Sequence, residues 1–597
     1  MTAEYPWERP LGARPVGDGE TEFRVWAPAA TEIKLLLGSG RGASAHPLEH
    51  AGHGVYEARA RVGPGADYGY LIDGRRRPDP ASRWQPGGLR RSSRVYDPSR
   101  GESLTPAPLR EQVIYELHVG TFSPAGTFDG AIPYLPALAR LGVTAIEVMP
   151  IGEFPGSRGW GYDGVYLSAA QSSYGGPDAF QRLVEAAHAA GLAVILDVVY
   201  NHVGASGVRA LRAFGPYFTG THETPWGRAI NYDGADSDPV REWVLQSAEG
   251  WVGEFGVDGL RLDAIHAIFD SSPEHIVAAI ARRVHAVRPG ALVFAESALN
   301  DPVVVRCRHR GGYRCDAAWA DDFHHALRTL LTDEEEGYYA DYGKIEDLAK
   351  AWIRPYVYDG GYSRVRRRRV GAPAGDVPPE RFIVCSQNHD QVGNRAFGDR
   401  MPAPARPLAA FCTLLAPFTP LLFMGEEYGE HAPFQFFSDH IDRRVAEATR
   451  AGRLAEFAAF ASFGREIPDP QSIDTFEASK LTRAGDPAIA SLYAELLALR
   501  RGPLAPADGD AVSFAAGRRW LRIARGAHEL VCNFDRAPVT LTANDRRLVF
   551  TTSDASELGE GQIRMAPLSG AVLARDTPWG PACGGHVAAT VTPRGAV

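Results

Sequence analysis

The chain has 597 residues, too many for a single hydrophobic core and enough for two to four domains. Its 45% hydrophobic and 23% charged residues are those of an ordinary soluble globular protein. A net charge of −9 gives no general attraction to nucleic acid or to anionic membrane, so neither is expected as a partner, while neutral sugars are not repelled.

In chain order, the first twenty residues lack the apolar stretch of a secretory signal, and no later run approaches membrane-spanning length. The six cysteines (Cys307, Cys315, Cys385, Cys412, Cys532 and Cys583) form no close metal-binding pairs and are sparse for a disulfide scaffold. A cytoplasmic protein with reduced thiols is expected. Alternating stretches at Glu22 to Ala27, Glu32 to Leu37 and Tyr68 to Asp73 predict a small β-sandwich over residues 1–105. Its aromatics Trp26, Tyr56, Tyr68 and Tyr70 fill the sandwich core or its edge, or else stack on sugar.

From Val113 onward, apolar β-prone runs alternate with helical patterns such as Asp178 to Ala190 and Glu274 to Val287. The strands read VIYELHV, AIEVMPI, AVILDVV, GLRLDA, ALVFAE, DAAWADD, FIVCSQN and PLLFMGE, the sixth ending near Asp321. The predicted fold class is α/β, a (β/α)8 TIM barrel over residues 106–500. Short strands return after 500, including Trp520 to Ile523 and Glu529 to Phe534, and predict a C-terminal β-sandwich over 501–597.

Four segments end such runs with a carboxylate: DVVYNH with Asp197, GLRLDAIH with Asp263, FAES with Glu296 and QNHDQVGN with Asp390. In a barrel the carboxyl ends of the strands share one face, so these acids converge. Converging acids with an Arg, two His and an Asn among them suit glycosidic bond cleavage, which needs one ionised and one protonated carboxyl across the bond. Taken alone, an Asp after a strand is often only a helix cap.

The four segments resemble, in residues and in order, the sequence regions of the α-amylase superfamily of retaining glycoside hydrolases, family 13. The resemblance implies Asp263 as nucleophile, Glu296 as acid/base and Asp390 as the third carboxylate gripping the sugar. A retaining pair stands roughly 5 Å apart. Arg261 lies on the same face of its strand and is expected to hold down the Asp263 carboxyl. A less polar setting and neighbouring negative charge are expected to raise Glu296. His202 and His389 resemble the family's substrate-binding histidines, and His266 and Asn394 join the expected sugar contacts. Asp197 is read as an organiser of Arg261 and the nearby loops.

Further strings resemble the maltooligosyltrehalose trehalohydrolases within that superfamily: FPGSRGWGYDGV at Phe154, HETPWGRAINYDG at His222, DDFHHALRTLLTDEEEGYYADYG at Asp321 and LLFMGEEYGEHAPFQFFSDH at Leu421. FRVWAPAATEIKLLL similarly resembles the carbohydrate-binding-like N-terminal domain of branching, debranching and trehalose-releasing members. The implied substrate is maltooligosyl trehalose or a related α-glucan, cut at the α-1,4 bond next to the terminal trehalose. Asp321, Asp322, His324 and His325 are the expected partners of the trehalose hydroxyls, unless DDFHH is only a capped helix start. Tyr162, and with it Trp160, is expected to stack on the sugar ring being cleaved.

The segment from Val203 to about Asp236 lacks the dense oxygen-ligand pattern of a calcium site, although Asn201 matches a calcium-holding Asn of many amylases. No metal or other cofactor is expected. Arg364 to Arg369 (RVRRRR) reads as solvated surface. A glucan-branching enzyme or other glucanotransferase would use the same three carboxylates. A non-catalytic glucan-binding protein would typically lose one of them.

Overall fold

The computed structural model describes residues 4–98, 103–457, 466–506, 509–515 and 517–575. The predicted position Cys583 and the last part of the expected C-terminal domain lie outside them. Among the described residues no helix is long and apolar enough to cross a membrane.

Eight parallel strands close into a barrel in chain order: Ile114–Leu117, Ala145–Val148, Ala193–Val198, Gly259–Leu262, Leu292–Ala295, Ala317–Trp319, Phe382–Cys385 and Thr419–Phe423. All eight predicted runs therefore form strands, including DAAWADD, and the last pairs with the first to close the ring. The strands read as continuous apolar runs because helices cover the barrel outside and side chains fill it inside. Ile114, Ala145, Ala193, Ile195, Phe294, Ala317, Trp319, Ile383 and Leu421 pack together within it.

The helix Gly176–Ala189 follows its predicted pattern. Ile276–Val287 begins two residues later than the pattern suggested, because the His275 side chain caps it by accepting from Val277 N–H.

Two antiparallel sheets of four main strands each precede the barrel. Trp26, Tyr68 and Tyr70 are buried there, and Tyr56 lies half-buried against His50, so the core-and-edge reading describes where these rings sit. This region is fastened to the barrel by Leu11 N–H donating to Gln246, by the Arg83–Glu254 ion pair and by Trp243 donating to Pro80 O. After the barrel, a five-stranded sheet and a three-stranded sheet pack on each other. The five-stranded sheet rests on the barrel helix Arg406–Leu415, where Phe411 stacks on Phe550. These flanking sheets hold the barrel from outside.

Candidate active site

Arg261 is the centre of the site. It stands on the fourth strand, fully buried, with its guanidinium 4.3 Å from the Trp319 ring centre on the sixth strand. Nη1 donates to Asp197 at 2.6 Å and to Asp263 at 3.0 Å, and Nη2 donates to Glu296 at 2.8 Å. One planar cation thus gathers carboxylates from the ends of strands three, four and five, a geometry that a lysine's point charge would not reproduce. Asp263 is fixed further by the Asn201 amide, which donates to its Oδ2 at 2.6 Å and to its backbone carbonyl. The next residue, Ala264, adopts a left-handed conformation at φ 39°, unusual for a residue with a Cβ. That turn aims its N–H at Glu296 Oε2, 2.7 Å away.

This wiring shifts the two carboxyls in directions opposite to those expected. Burial pushes Asp263 well above the usual carboxylate range; Arg261 and Asn201 pull it down without cancelling, and Glu296 and Asp197 push it further up. Burial also pushes Glu296 up, but Arg261, the Ala264 N–H and two histidines outweigh it and leave Glu296 below its ordinary value. The two directions are the reverse of those expected, because Glu296 has the Ala264 N–H as well as Arg261. Asp197 is raised by burial against the pull of Arg261 and Tyr162, and its bond to Arg261 agrees with an organising part.

A second chain of contacts runs through His389. The ring stacks on Tyr162, and its Nε2 lies 2.8 Å from the Tyr162 hydroxyl and 3.5 Å from Asp390 Oδ1. Tyr162 donates to Asp197 Oδ2 at 2.7 Å. Asp390 also accepts from Asn394 Nδ2 at 3.0 Å, and burial raises its carboxyl against the pull of His389. His202 pairs through Nδ1 with Asn201 Oδ1 and stacks under Trp226, the exposed tip of the hairpin Phe218–Thr224 and Gly227–Ile230. Burial lowers His202 to about 4, so it is neutral. His266 is half-buried, its Nδ1 accepts from Ala298 N–H at 3.3 Å, and burial lowers it as well.

The expected aromatic platform divides. Gly161, at φ 102°, separates Trp160 from Tyr162, and a Cβ there would lie 2.0 Å from Pro150 O, so the turn requires glycine. The turn sends Trp160 inward, where it stacks on Phe434 and donates to Gln435 O. Trp160 is therefore core, whereas Tyr162 stays half-buried beside His389.

The DDFHH string divides as well. It forms the first turn of the helix Asp321–Thr332. Asp322 accepts from Asn300, Tyr342 and the backbone of Val357 and Tyr358. His324 has both nitrogens engaged, by Ser386 O and the Tyr339 hydroxyl. These two pin loops and leave nothing free for a sugar, a correction to the expected contacts. Asp321 and His325, one helical turn apart, line a cavity of about 290 Å³ with Tyr338, Tyr342, Arg366 and Asp390. Burial, then Glu296 and Asp390, raises Asp321 to about 7, and burial drops His325 to about 3. Arg366 reaches the rim of this cavity from the arginine run, all six residues of which are exposed, as expected of solvated surface.

Comparison with known proteins bears on this geometry. Residues 94–209 match the family model for the alpha amylase catalytic domain, residues 10–98 that for carbohydrate-binding module 48 (isoamylase N-terminal domain) and residues 506–572 a domain of unknown function. The chain is 45% identical to malto-oligosyltrehalose trehalohydrolase of Saccharolobus solfataricus over 85% of its own length and 89% of the relative's. It is 43% identical to the enzyme of that name from Rhizobium sp. over 94% and 98%. The chain belongs to the malto-oligosyltrehalose trehalohydrolase family. A crystal structure of a putative alpha amylase from Salmonella typhimurium superposes with a TM-score of 0.85 at 36% identity, covering 95% of this chain and 99% of that one.

In this member of the trehalohydrolase family, three site residues escaped the sequence reading. Glu116, on the first strand, accepts from His389; Glu147 lies beside it on the second; Trp319 backs Arg261. The signal was a charged residue inside an otherwise apolar strand, IYEL and AIEV, which a buried barrel interior tolerates only with a partner or without its charge. Asn201 engages its amide on Asp263, and among the described residues no group of three or more His, Cys, Asp and Glu side chains is gathered for a metal.

Proposed function

We propose that the chain is a retaining glycoside hydrolase that cuts the α-1,4 bond next to the terminal trehalose of maltooligosyl trehalose, releasing trehalose and a maltooligosaccharide. The observation that carries this reading is the single buried guanidinium of Arg261 shared by Asp263 and Glu296, with Asp390 across the cleft. Asp263 is the nucleophile and Glu296 the acid/base. When a glycosidic oxygen enters, Glu296 turns to it from Arg261 and Ala264 and loses the two donors that held its proton off. Arg261 then serves Asp263 alone, which favours the proton on Glu296 and the charge on Asp263. Asp263 attacks the anomeric carbon as Glu296 protonates the departing trehalose oxygen; Glu296 then deprotonates the water that frees the sugar. Asp390, with His389 beside it, binds the ring hydroxyls, and His202, His266 and Asn394 complete the contacts.

Trehalose recognition is assigned to Asp321 and His325, with Tyr338 and Tyr342 as apolar walls. The chain divides into an N-terminal sandwich over 1–105, the catalytic barrel over 106–500 and a C-terminal sandwich over 501–597. The five described cysteines are free, which supports a reducing, cytoplasmic setting. The test is incubation with maltotriosyl trehalose and chromatography of the products. Stoichiometric trehalose and maltotriose are expected. Glucose as the first product, or new branch points without trehalose, would overturn the assignment, the latter in favour of a glucanotransferase.

A further inference from the structure

The hydrogen bonds around His389 fix where its protons are. A tyrosine hydroxyl has one proton, and that of Tyr162 goes to Asp197 Oδ2, a carboxylate clasped by Arg261. The hydroxyl must then accept from His389, so Nε2 carries a hydrogen. On the other side of the ring Nδ1 lies 2.5 Å from Glu116 Oε1, and Glu116 Oε2 accepts the backbone N–H of His389 at 2.8 Å. Both side chains are 1% exposed, so bulk solvent does not reach either.

We propose that Glu116 is a positioning residue: by accepting the Nδ1–H and the backbone N–H of His389 it keeps that ring an imidazolium, whose Nε2–H is held on the Tyr162 hydroxyl and whose charge stands beside Asp390. The proposal rests on the hydrolase reading above for its kinetic consequence, though not for the state of the ring.

The charges facing the ring come from every neighbouring strand. Glu116 on the first strand and Asp390 beside the ring favour the cation, as do Asp197 on the third and Glu296 after the fifth; Arg261 on the fourth opposes it. Glu147 on the second strand is fully buried with neither oxygen partnered, and burial, then Glu116, push its carboxyl well above the usual range. His118 is buried and neutral, lowered to about 4, and burial keeps the Tyr162 hydroxyl un-ionised. Burial by itself would lower His389; Glu116 and then Asp390 outweigh it and raise the ring to about 10. A folded value above the ordinary 6.5 means that the cation is fully present at neutral pH and is lost only as pH rises through about 10. The sugar-binding centre therefore contains a histidine that does not titrate where histidines usually do.

The test is Glu116→Gln in the full chain. Its amide keeps the shape, but its NH2 donates to Nδ1 and leaves His389 neutral. The 15N shifts of the two ring nitrogens, assigned with His389→Gln, are followed from pH 5.5 to 8.5 beside kcat and KM for maltotriosyl trehalose. The wild type is expected to stay doubly protonated throughout. Glu116→Gln is expected to be neutral at pH 8, with kcat down about tenfold, the scale of one lost charge-assisted hydrogen bond, and KM little changed. Glu116→Asp, which restores the carboxylate, is expected to restore the doubly protonated ring and part of kcat. A neutral ring in the wild type overturns the proposal, and this holds even if Glu116→Gln does not fold. So does a doubly protonated ring in Glu116→Gln, or an unchanged kcat with a neutral ring. Absence of trehalose from the wild-type digest would sink the hydrolase reading instead, while the ring shifts still decide the protonation state.

Discussion

On the side of strands three to five, every guanidinium nitrogen of Arg261 except Nε is engaged with an acid. On the side of the sixth strand, His325 keeps a buried, unpartnered Nδ1, and the half-buried Asp321 carboxyl lines the same cavity. The first wall sets charge and leaves little for a ligand to add. The second holds polar groups that only a ligand or water can satisfy, at about 1 to 3 kcal/mol for each one left unmet. On the proposed roles, chemistry and recognition are thus separated within one cleft, and each wall has its own failure.

The most damaging change is to the first wall. Asp263→Asn or Glu296→Gln is expected to lower kcat by about four orders of magnitude or more, with the double mutant no slower than the worse single one. Trehalose release in single-turnover assays measures this, and additive losses would show that the two acids do not act as a unit. On the second wall, Asp321→Ala or His325→Ala is expected to depress kcat/KM for maltooligosyl trehalose by roughly 5- to 100-fold, with a much smaller effect on a plain maltooligosaccharide of equal length. Asp322→Ala and His324→Ala are expected to affect both substrates alike, through loosened loops and a lower melting temperature. Equal losses on both substrates for Asp321 would remove the distinction between the walls.

A smaller effect follows from the raised carboxyl of Asp321. Its folded value is about 7 against an ordinary 3.8, so the native state binds the proton more tightly than the unfolded chain does. Its neutral form therefore favours folding below pH 4, and that advantage is lost as pH rises toward 7. Asp321→Asn is expected to flatten this decline, melting higher than the wild type at pH 8 while losing selectivity; a steeper decline in the variant would refute it. The smallest expected effect is that of excess chelator, under which activity stays unchanged. A large loss restored by calcium would show that the loop after the third strand holds an ion that Asn201 helps to bind.

The strands and the acids at their ends were legible because a buried parallel strand writes itself as an apolar run and its last residue is the one that meets the cleft. The split within DDFHH was also written there, since residues four apart share a helix face, and it is Asp321 and His325 that line the cavity together. What the sequence could not disclose was the competition for donors. Nothing local to FAES says that Glu296 will win the Ala264 N–H, because that depends on a left-handed residue 32 positions earlier. Nor does IYEL reveal its partner, which lies on another strand.

The bond between Glu116 and His389 joins residues 273 positions apart, from the first and seventh barrel segments. During synthesis Glu116, Asp263 and Glu296 are made well before the histidine that completes the network, and for that interval Glu116 is a buried-type acid without its cation. Such distant pairing forms late and slowly. A nascent chain ending before residue 382 would carry both acids of the proposed reaction with neither strand that closes the ring, so hydrolysis cannot begin until most of the polypeptide has been made and has folded.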